Sequence, residues 1–436
     1  MTTILQGMLG LALLLAIAWL FSDSKKNINW RIVGIGIALQ IIFAVFVILT
    51  PWGSIVFDAI GSFFVKIIGF TFQGAAFVFG ALADQEKFGK AFPEFLRSEG
   101  AGFIFAFQVL PTIIFFSSLM SVLYHMGLMQ KVVQAMAWVM SKLMKVSGAE
   151  SISVAANVFI GQTEAPLVVR PYVSPMTRSE LLTLMIGGMA TIAGGVLAAY
   201  ISLLGGTDPV QQVFYAKHLL SASIMAAPAT IVIAKILIPE REESKTMGTV
   251  KITVEKTSSN LIDAATTGAA DGLKLALNVA GMLLAFIALI AMINWILSGL
   301  FTDIMGLRID GKPISMEILL GYLLSPIALT IGVPWSDAIT VGSLIGEKVV
   351  LNEFIAYLHL SQLIPAEVLS SKAVIISTYA LCGFANFSSI AIQIGGIGGI
   401  APDRRSDLAR FGLRAVLGGS LATFMTATIA GVFTSL

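Results

Sequence analysis

Eight apolar runs, each long enough to cross a bilayer, leave this chain few folds to choose from. They cover 4–21, 32–50, 101–124, 180–203, 212–238, 274–299, 371–395 and 408–434. About 20 predominantly apolar residues span the hydrocarbon core as a helix. Lipid offers no partner to a backbone N–H or C=O, so each run must be helical. Only 12% of the residues are charged, against roughly 25% in a soluble domain. The chain is therefore an all-α polytopic membrane protein of eight transmembrane helices. A formal net charge of +2 argues against nucleic acid as a partner and leaves membrane lipid as the surroundings. Cys382 is the single cysteine, so no intrachain disulfide or thiolate cluster can form. His125, His218 and His359 show no metal-ligand spacing. The first run, Ile4 to Phe21, follows no Lys or Arg and precedes no clean small-residue cleavage site, so it reads as a true span.

Five apolar segments do not fit that scheme. Ser54 to Leu82 carries Asp58 and Lys66, Val132 to Met144 ends on Lys142, and Met316 to Ile331 precedes the break at Val333-Pro334-Trp335. These three read as interfacial helices. The other two are shorter, interrupted and hold a carboxylate each: Ala156 to Pro166 with Glu164, and Gly346 to Phe354 with Glu353. A charged side chain at membrane depth costs about 3 kcal/mol or more and persists where it faces protein, water or a ligand. Each segment reads as a re-entrant hairpin, because irregular backbone is tolerated where it lines a cavity.

Lys and Arg are concentrated in alternate loops: Lys25, Lys26 and Arg31; Lys131, Lys142, Lys145, Arg170 and Arg178; Arg241, Lys245, Lys251 and Lys256; Arg404, Arg405 and Arg410. The positive-inside rule places these loops in the cytoplasm and both termini outside, periplasmic in a bacterial inner membrane. The two hairpins then enter from opposite sides, and the chain becomes an inverted repeat. The expected division is 1–146 for N-terminal spans, interfacial helices and scaffold; 147–238 for a first transport repeat; 239–313 for a cytoplasmic loop and scaffold helix; and 314–436 for a second transport repeat. The span after each hairpin is rich in small residues, Gly187 to Gly195 and Cys382 to Ser389. Such stretches let backbones approach closely, or let a helix unwind and offer its carbonyls to an ion.

Gln162, Thr163 and Glu164 place three consecutive hydrogen-bonding side chains at one hairpin tip. Glu353, Asn386 and Ser389 form a second polar set, with Asn386 and Ser389 read as one helix face. No Lys or Arg converges on these groups, so they suit hydroxyls and amide-like ring edges better than phosphate. Two carboxylates fit a neutral or cationic solute. Paired, interrupted segments in two halves point to a transporter's binding site.

The motifs resemble the concentrative nucleoside transporter family closely. They are Gly161-Gln162-Thr163-Glu164-Ala165-Pro166 with Arg170-Pro171-Tyr172, then Gly346-Glu347-Lys348 leading into Asn352-Glu353-Phe354-Ile355-Ala356-Tyr357, then Cys382-Gly383-Phe384-Ala385-Asn386. The resemblance runs from about Ile32 to the C-terminus. It implies a homotrimer of eight-span protomers, each with two re-entrant hairpins. It implies symport of nucleosides such as uridine, cytidine and adenosine, driven by a sodium or proton gradient through an elevator-like motion, and no enzymatic activity. By resemblance, Gln162, Thr163 and Glu164 bond the nucleobase beside Gly161. Glu353, Asn386 and Ser389 hold the ribose, and Phe384 packs near the base. The family's sodium site maps onto the Asn157 side chain, the carbonyls of Ile160 and Ile192, and the hydroxyl of Thr191, where the family usually has Ser. Three alternatives stay open: the same fold coupled to H+ through Glu164 or Glu353, a solute channel, and an intramembrane acid–base enzyme, which lacks any accompanying nucleophile or cofactor motif.

Overall fold

The structure, a computed structural model, describes residues 2–84, 87–88, 104–248, 258–309 and 311–435. The first residues of the 101–124 run, and Lys251 and Lys256 of the basic loop, lie outside the described residues. Helices α1 (Thr2–Leu20), α2 (Trp30–Ala44) and α3 (Pro51–Phe79) open the chain. Then come α4 (Leu110–His125) and α5 (Leu128–Met144). A first series follows: α6 (Gly148–Asn157), the short α7 (Ala165–Val168) and α8 (Arg170–Val173), then α9 (Arg178–Ala190), α10 (Gly194–Gly205) and α11 (Pro209–Leu237). After α12 (Leu261–Leu297) and a small antiparallel pair, β1 (Arg308–Ile309) with β2 (Lys312–Pro313), comes α13 (Met316–Thr330). A second series then repeats the order of the first: α14 (Ala338–Val350), α15 (Glu353–Leu363), α16 (Ser371–Ala380), α17 (Phe387–Ile400) and α18 (Arg405–Phe433).

Among the described residues, eight helical stretches are long and apolar enough to cross a membrane, and seven of the expected runs are among them. The eighth is Pro51–Ala83, where the sequence suggests an interfacial helix. Its polar residues are too sparse to interrupt it, and Asp58 is paired with Lys217 at 3.2 Å. The expected run 371–395 drops out because it is split into α16 and α17 by an unwound stretch between Ala380 and Phe387. The first repeat shows the same break: 180–203 divides into α9 and α10 around Thr191-Ile192-Ala193. The span expected at 274–299 begins earlier, at Leu261. Its early turns lie tight on α4, and a Cβ at Gly268 would stand 2.6 Å from the Ser117 carbonyl oxygen.

Burial sorts the helices into two layers. Within Arg178–Gly205, Pro209–Leu237 and Pro402–Phe433 an 18-residue apolar segment is 94%, 89% and 83% buried, whereas the like segment of Thr3–Leu20, Pro51–Ala83 and Leu261–Ile304 is 22% buried in each. The outward faces of α1, α3 and α12 are thus apolar and exposed. Of the broken spans, α9, α10 and α16 sit inside, whereas α17 buries only the stripe of Ser389, Gln393, Ile397 and Gly398. Amphipathic α5 joins the layers through one stripe of Met129, Val133, Ala137, Met140 and Met144.

The hairpins start from strong local signals. Ser147 and Glu150 form a capping box at the start of α6, with the Ser147 N–H donating to Glu150 Oε1 at 2.8 Å. Thr177 and Glu180 form another for α9. Asn352 caps α15, and Ser370 caps α16. The two broken spans cross at their breaks. A Cβ at Gly383 would lie 2.7 Å from the Met189 carbonyl oxygen and 2.9 Å from the Ala190 carbonyl carbon. Gly383→Ala must therefore separate two backbones, at about 1–3 kcal/mol by analogy with overpacked cores. Thermal unfolding in detergent should show a midpoint lower by several degrees. An unchanged midpoint would mean that the crossing is loose.

Candidate functional site

Hairpin 1 turns between Asn157 and Ala165. The N–H groups of Phe159 and Ile160 both donate to the Ala156 carbonyl, and those of Glu164 and Ala165 both donate to Gly161, each at 3.0 Å. Gly194, the first residue of α10, donates its N–H to the Phe159 carbonyl at 3.0 Å, which ties the tip to the break in the neighbouring span. A Cβ at Gly188 would lie 2.8 Å from Gln162 Cβ, so this glycine admits the tip. A Cβ at Gly161 would make ordinary van der Waals contact, 3.8 Å from Ala193 Cβ and 4.0 Å from Glu164 Oε2.

Glu353 opens α15 and is buried. Its Oε1 accepts from the Tyr200 hydroxyl at 2.8 Å and its Oε2 from Asn386 Nδ2 at 3.1 Å. A carboxylate in the first turn of a helix also gains from the helix dipole. Asn386 is the N-cap of α17, with extended backbone, and its Oδ1 accepts from the Ser389 N–H at 2.9 Å. This corrects the expectation that Asn386 and Ser389 share a helix face: the unwound stretch ends on Asn386, and the pair forms a cap. Ser389 Oγ in turn accepts from Gln162 Nε2 at 3.1 Å.

The two polar sets are therefore one chain of groups: Tyr200, Glu353, Asn386, Ser389, Gln162. It ends on Gln393, whose Nε2 donates to Gln162 Oε1 at 3.1 Å and to the Met185 carbonyl at 2.9 Å. Capacity remains on it. An ionised carboxylate accepts about four hydrogen bonds, and the amides of Asn386 and Gln162 each carry a second N–H, whereas Gln393 uses both of its own. Thr163 and Glu164 stand on the exposed side of the tip, where Glu164 Oε2 accepts from the Gly161 N–H at 3.4 Å. No hydrogen bond joins them to the Glu353 group among the described residues. Phe384 is half-buried in the break between α16 and α17.

Of the four positions expected to hold an ion, Asn157 and Thr191 both meet Gly187 of α9, while Ile160 and Ile192 lie in the unwound stretches that the Phe159–Gly194 hydrogen bond ties together. Asn157 is 1% exposed, its Nδ2 donates to the Ser153 carbonyl at 3.0 Å, and its Oδ1 has no hydrogen-bond partner. Its amide nitrogen lies 3.2 Å from where a Cβ on Gly187 would be, one turn before Thr191. Thr191 donates its hydroxyl to the Gly187 carbonyl at 2.8 Å and keeps its oxygen lone pairs. The carbonyls of Ile160 and Ile192, both in unwound backbone, accept no hydrogen bond among the described residues. An orphaned buried amide oxygen, a hydroxyl and free carbonyls form an all-oxygen donor set that suits a hard cation.

Tyr200 and Gln393 carry no site expectation from the sequence, and Lys348 enters there only within the motif Gly346-Glu347-Lys348. Lys348 pairs with no carboxylate among the described residues; it donates to the Ala380 carbonyl. A separate cavity of about 800 Å³ lies between α3, α11 and α18, lined by Asp58, Lys217 and His218, and holds none of the expected site residues.

The comparisons agree with this architecture. The profile described as Na+ dependent nucleoside transporter C-terminus matches residues 218–431, and its N-terminal counterpart matches 9–82. A profile described as nucleoside recognition matches 106–207. The chain is 45% identical to the uncharacterized transporter YutK of Bacillus subtilis, over 99% of both chains. It is 41% identical to the sodium/nucleoside cotransporter 1 of Rattus norvegicus, over 97% of this chain and 63% of that one. The solved structure of CNTnw in an inward-facing substrate-bound state is 43% identical, covering 99% of this chain and 98% of that one, with a TM-score of 0.90. A doubly substituted CNTnw in an outward-facing state also superposes with a TM-score of 0.90, at 42% identity over 100% of this chain and 98% of that one.

Tyr200 provides the test of the polar chain. Tyr200→Phe deletes one donor to a buried carboxylate, which should cost about 1–3 kcal/mol. The expected readout is a lower thermal midpoint, with the loss absent when Glu353→Gln is already present. Additive losses in the double variant would show that the hydroxyl acts elsewhere.

Proposed function

The chain belongs to the family of sodium-dependent nucleoside transporters, and on that premise we propose that it is a sodium-coupled symporter that imports nucleosides across a bacterial inner membrane. The reading is carried by one observation: the tip that presents Gln162 also presents Ile160 and Asn157 to the break in the next span. Sodium taken by Asn157 Oδ1, Thr191 Oγ1 and the carbonyls of Ile160 and Ile192 would order the backbone through Gly161. That backbone positions Gln162, Thr163 and Glu164 for the nucleobase, with Phe384 packing near it. Glu353, Asn386 and Ser389 hold the ribose through their remaining acceptors and donors. Ion and solute then favour the same conformation of hairpin 1, and each raises the other's affinity by the same factor.

The same reading makes the buried layer the moving part and the exposed layer the scaffold of a homotrimer, with elevator-like alternating access. The Lys/Arg distribution puts both termini outside. Uridine, cytidine and adenosine all present a ribose and polar ring edges of the required kind.

Uptake of labelled uridine into proteoliposomes tests this. An inward sodium gradient should drive saturable accumulation, and an equal potassium gradient at the same pH should not. Uptake equal in both salts but driven by a pH step would transfer the coupling to protons. In Asn157→Ala and Thr191→Ala the sodium concentration for half-maximal uptake should rise about tenfold or more, while uridine binding at saturating sodium changes less. An unchanged sodium curve in both variants would remove the ion site from these residues.

A further inference from the structure

Lys348 is fully buried, close to the end of α14, the first helix of hairpin 2. Its Nζ donates to the Ala380 carbonyl at 2.8 Å and to Thr423 Oγ1 at 3.1 Å, and it lies 5.8 Å from the centre of the Phe424 ring. It forms no ion pair among the described residues. Buried Lys235, by contrast, bridges Glu150 at 2.8 Å and Glu240 at 3.1 Å. An ammonium taken out of water without a counter-ion costs several kcal/mol. Something specific must repay it at position 348.

Ala380 is the last residue of α16, and the span unwinds immediately after it. The last four carbonyls of a helix have no partner within it, and the aligned peptides place about half a negative charge there. At the broken end of α16 the Leu381 N–H, the Tyr357 hydroxyl and the Cys382 N–H take the carbonyls of Ser377, Thr378 and Tyr379, and the last one, on Ala380, at the negative pole of the helix, is taken by Lys348.

The first repeat has the same junction with a different occupant. There Asn157 ends α6, the first helix of hairpin 1, beside Gly187 and one turn before the broken end of α9. It brings a neutral amide whose oxygen is unpartnered. At matching points of the two series, one break is covered by a lysine and the other by a set of oxygens.

We propose that Lys348 is the permanent cation of the second repeat: its ammonium holds the open carbonyl end of α16 as bound sodium holds that of α9. This rests on the sodium reading above. The nucleoside site is then built between one exchangeable cation and one tethered cation, and a single sodium per cycle suffices for these two breaks. Lys348 is a positioning residue. It fixes the unwound stretch that carries Phe384 and ends on Asn386, and through Asn386 it steadies Glu353.

The test separates uridine affinity from sodium affinity in the purified full-length protein. Sodium affinity is read without nucleoside, as the midpoint of the sodium-induced thermal shift. Lys348→Met keeps the stem and removes the charge. It should weaken uridine binding at least tenfold and leave the sodium midpoint within twofold. Thr423→Val, a milder change at the same ammonium, should weaken uridine binding about threefold with the same unchanged midpoint, and it serves if Lys348→Met does not fold. Uridine affinity within twofold of the parent in the folded variants would overturn the proposal. So would a sodium midpoint that moves as far as uridine affinity does. Absence of any sodium shift in the parent protein would instead count against the sodium reading itself.

Discussion

A backbone that leaves helical geometry inside a membrane must find partners for its freed groups, and lipid offers none. This chain breaks two spans, at Thr191-Ile192-Ala193 and between Ala380 and Phe387. The rest of the inner layer follows from covering those breaks. A helical hairpin lies against each one, glycines at 187, 188 and 383 let the backbones meet, and polar side chains reach the exposed ends. The Gly194 N–H is taken by Phe159, and the Ala380 carbonyl by Lys348.

Function grows from the same requirement. Groups that close a break have hydrogen-bonding capacity left over. Glu353 accepts from Tyr200 and Asn386, Asn386 caps α17 over Ser389, and Ser389 accepts from Gln162 of the other hairpin. One polar chain therefore joins the two repeats, and a small solute that bonds to both ends of it is read by both. A sodium-dependent nucleoside transporter needs that property, because solute and ion must be sensed together.

Much of this was legible in the sequence, and the reasons are particular. Glu164 and Glu353 stand out because carboxylates are rare in apolar segments. The small-residue stretches Gly187 to Gly195 and Cys382 to Ser389 announce close packing or unwinding. Membership of the membrane-crossing set was harder at Ser54 to Leu82, where Asp58 suggested an interfacial helix; its partner Lys217 lies far along the chain. Asn386 reads as a helix-face residue only while 371–395 is taken as one unbroken span; once the span is split, the asparagine is a favoured N-cap for α17. Tyr200 and Gln393 each look like a lone polar residue in an apolar run, and Lys348 follows Glu347 with nothing local to show which group it meets. Their partners lie 153, 231 and 32 residues away, and only tertiary packing brings them together.

The central claim is that one hairpin couples ion to solute. Equilibrium binding of labelled uridine to the purified protein, with sodium replaced stepwise by choline at constant ionic strength, tests it without any gradient. The account predicts that uridine affinity rises at least tenfold with sodium and that Asn157→Ala abolishes most of that rise. Uridine affinity that stays the same from zero to saturating sodium would contradict it.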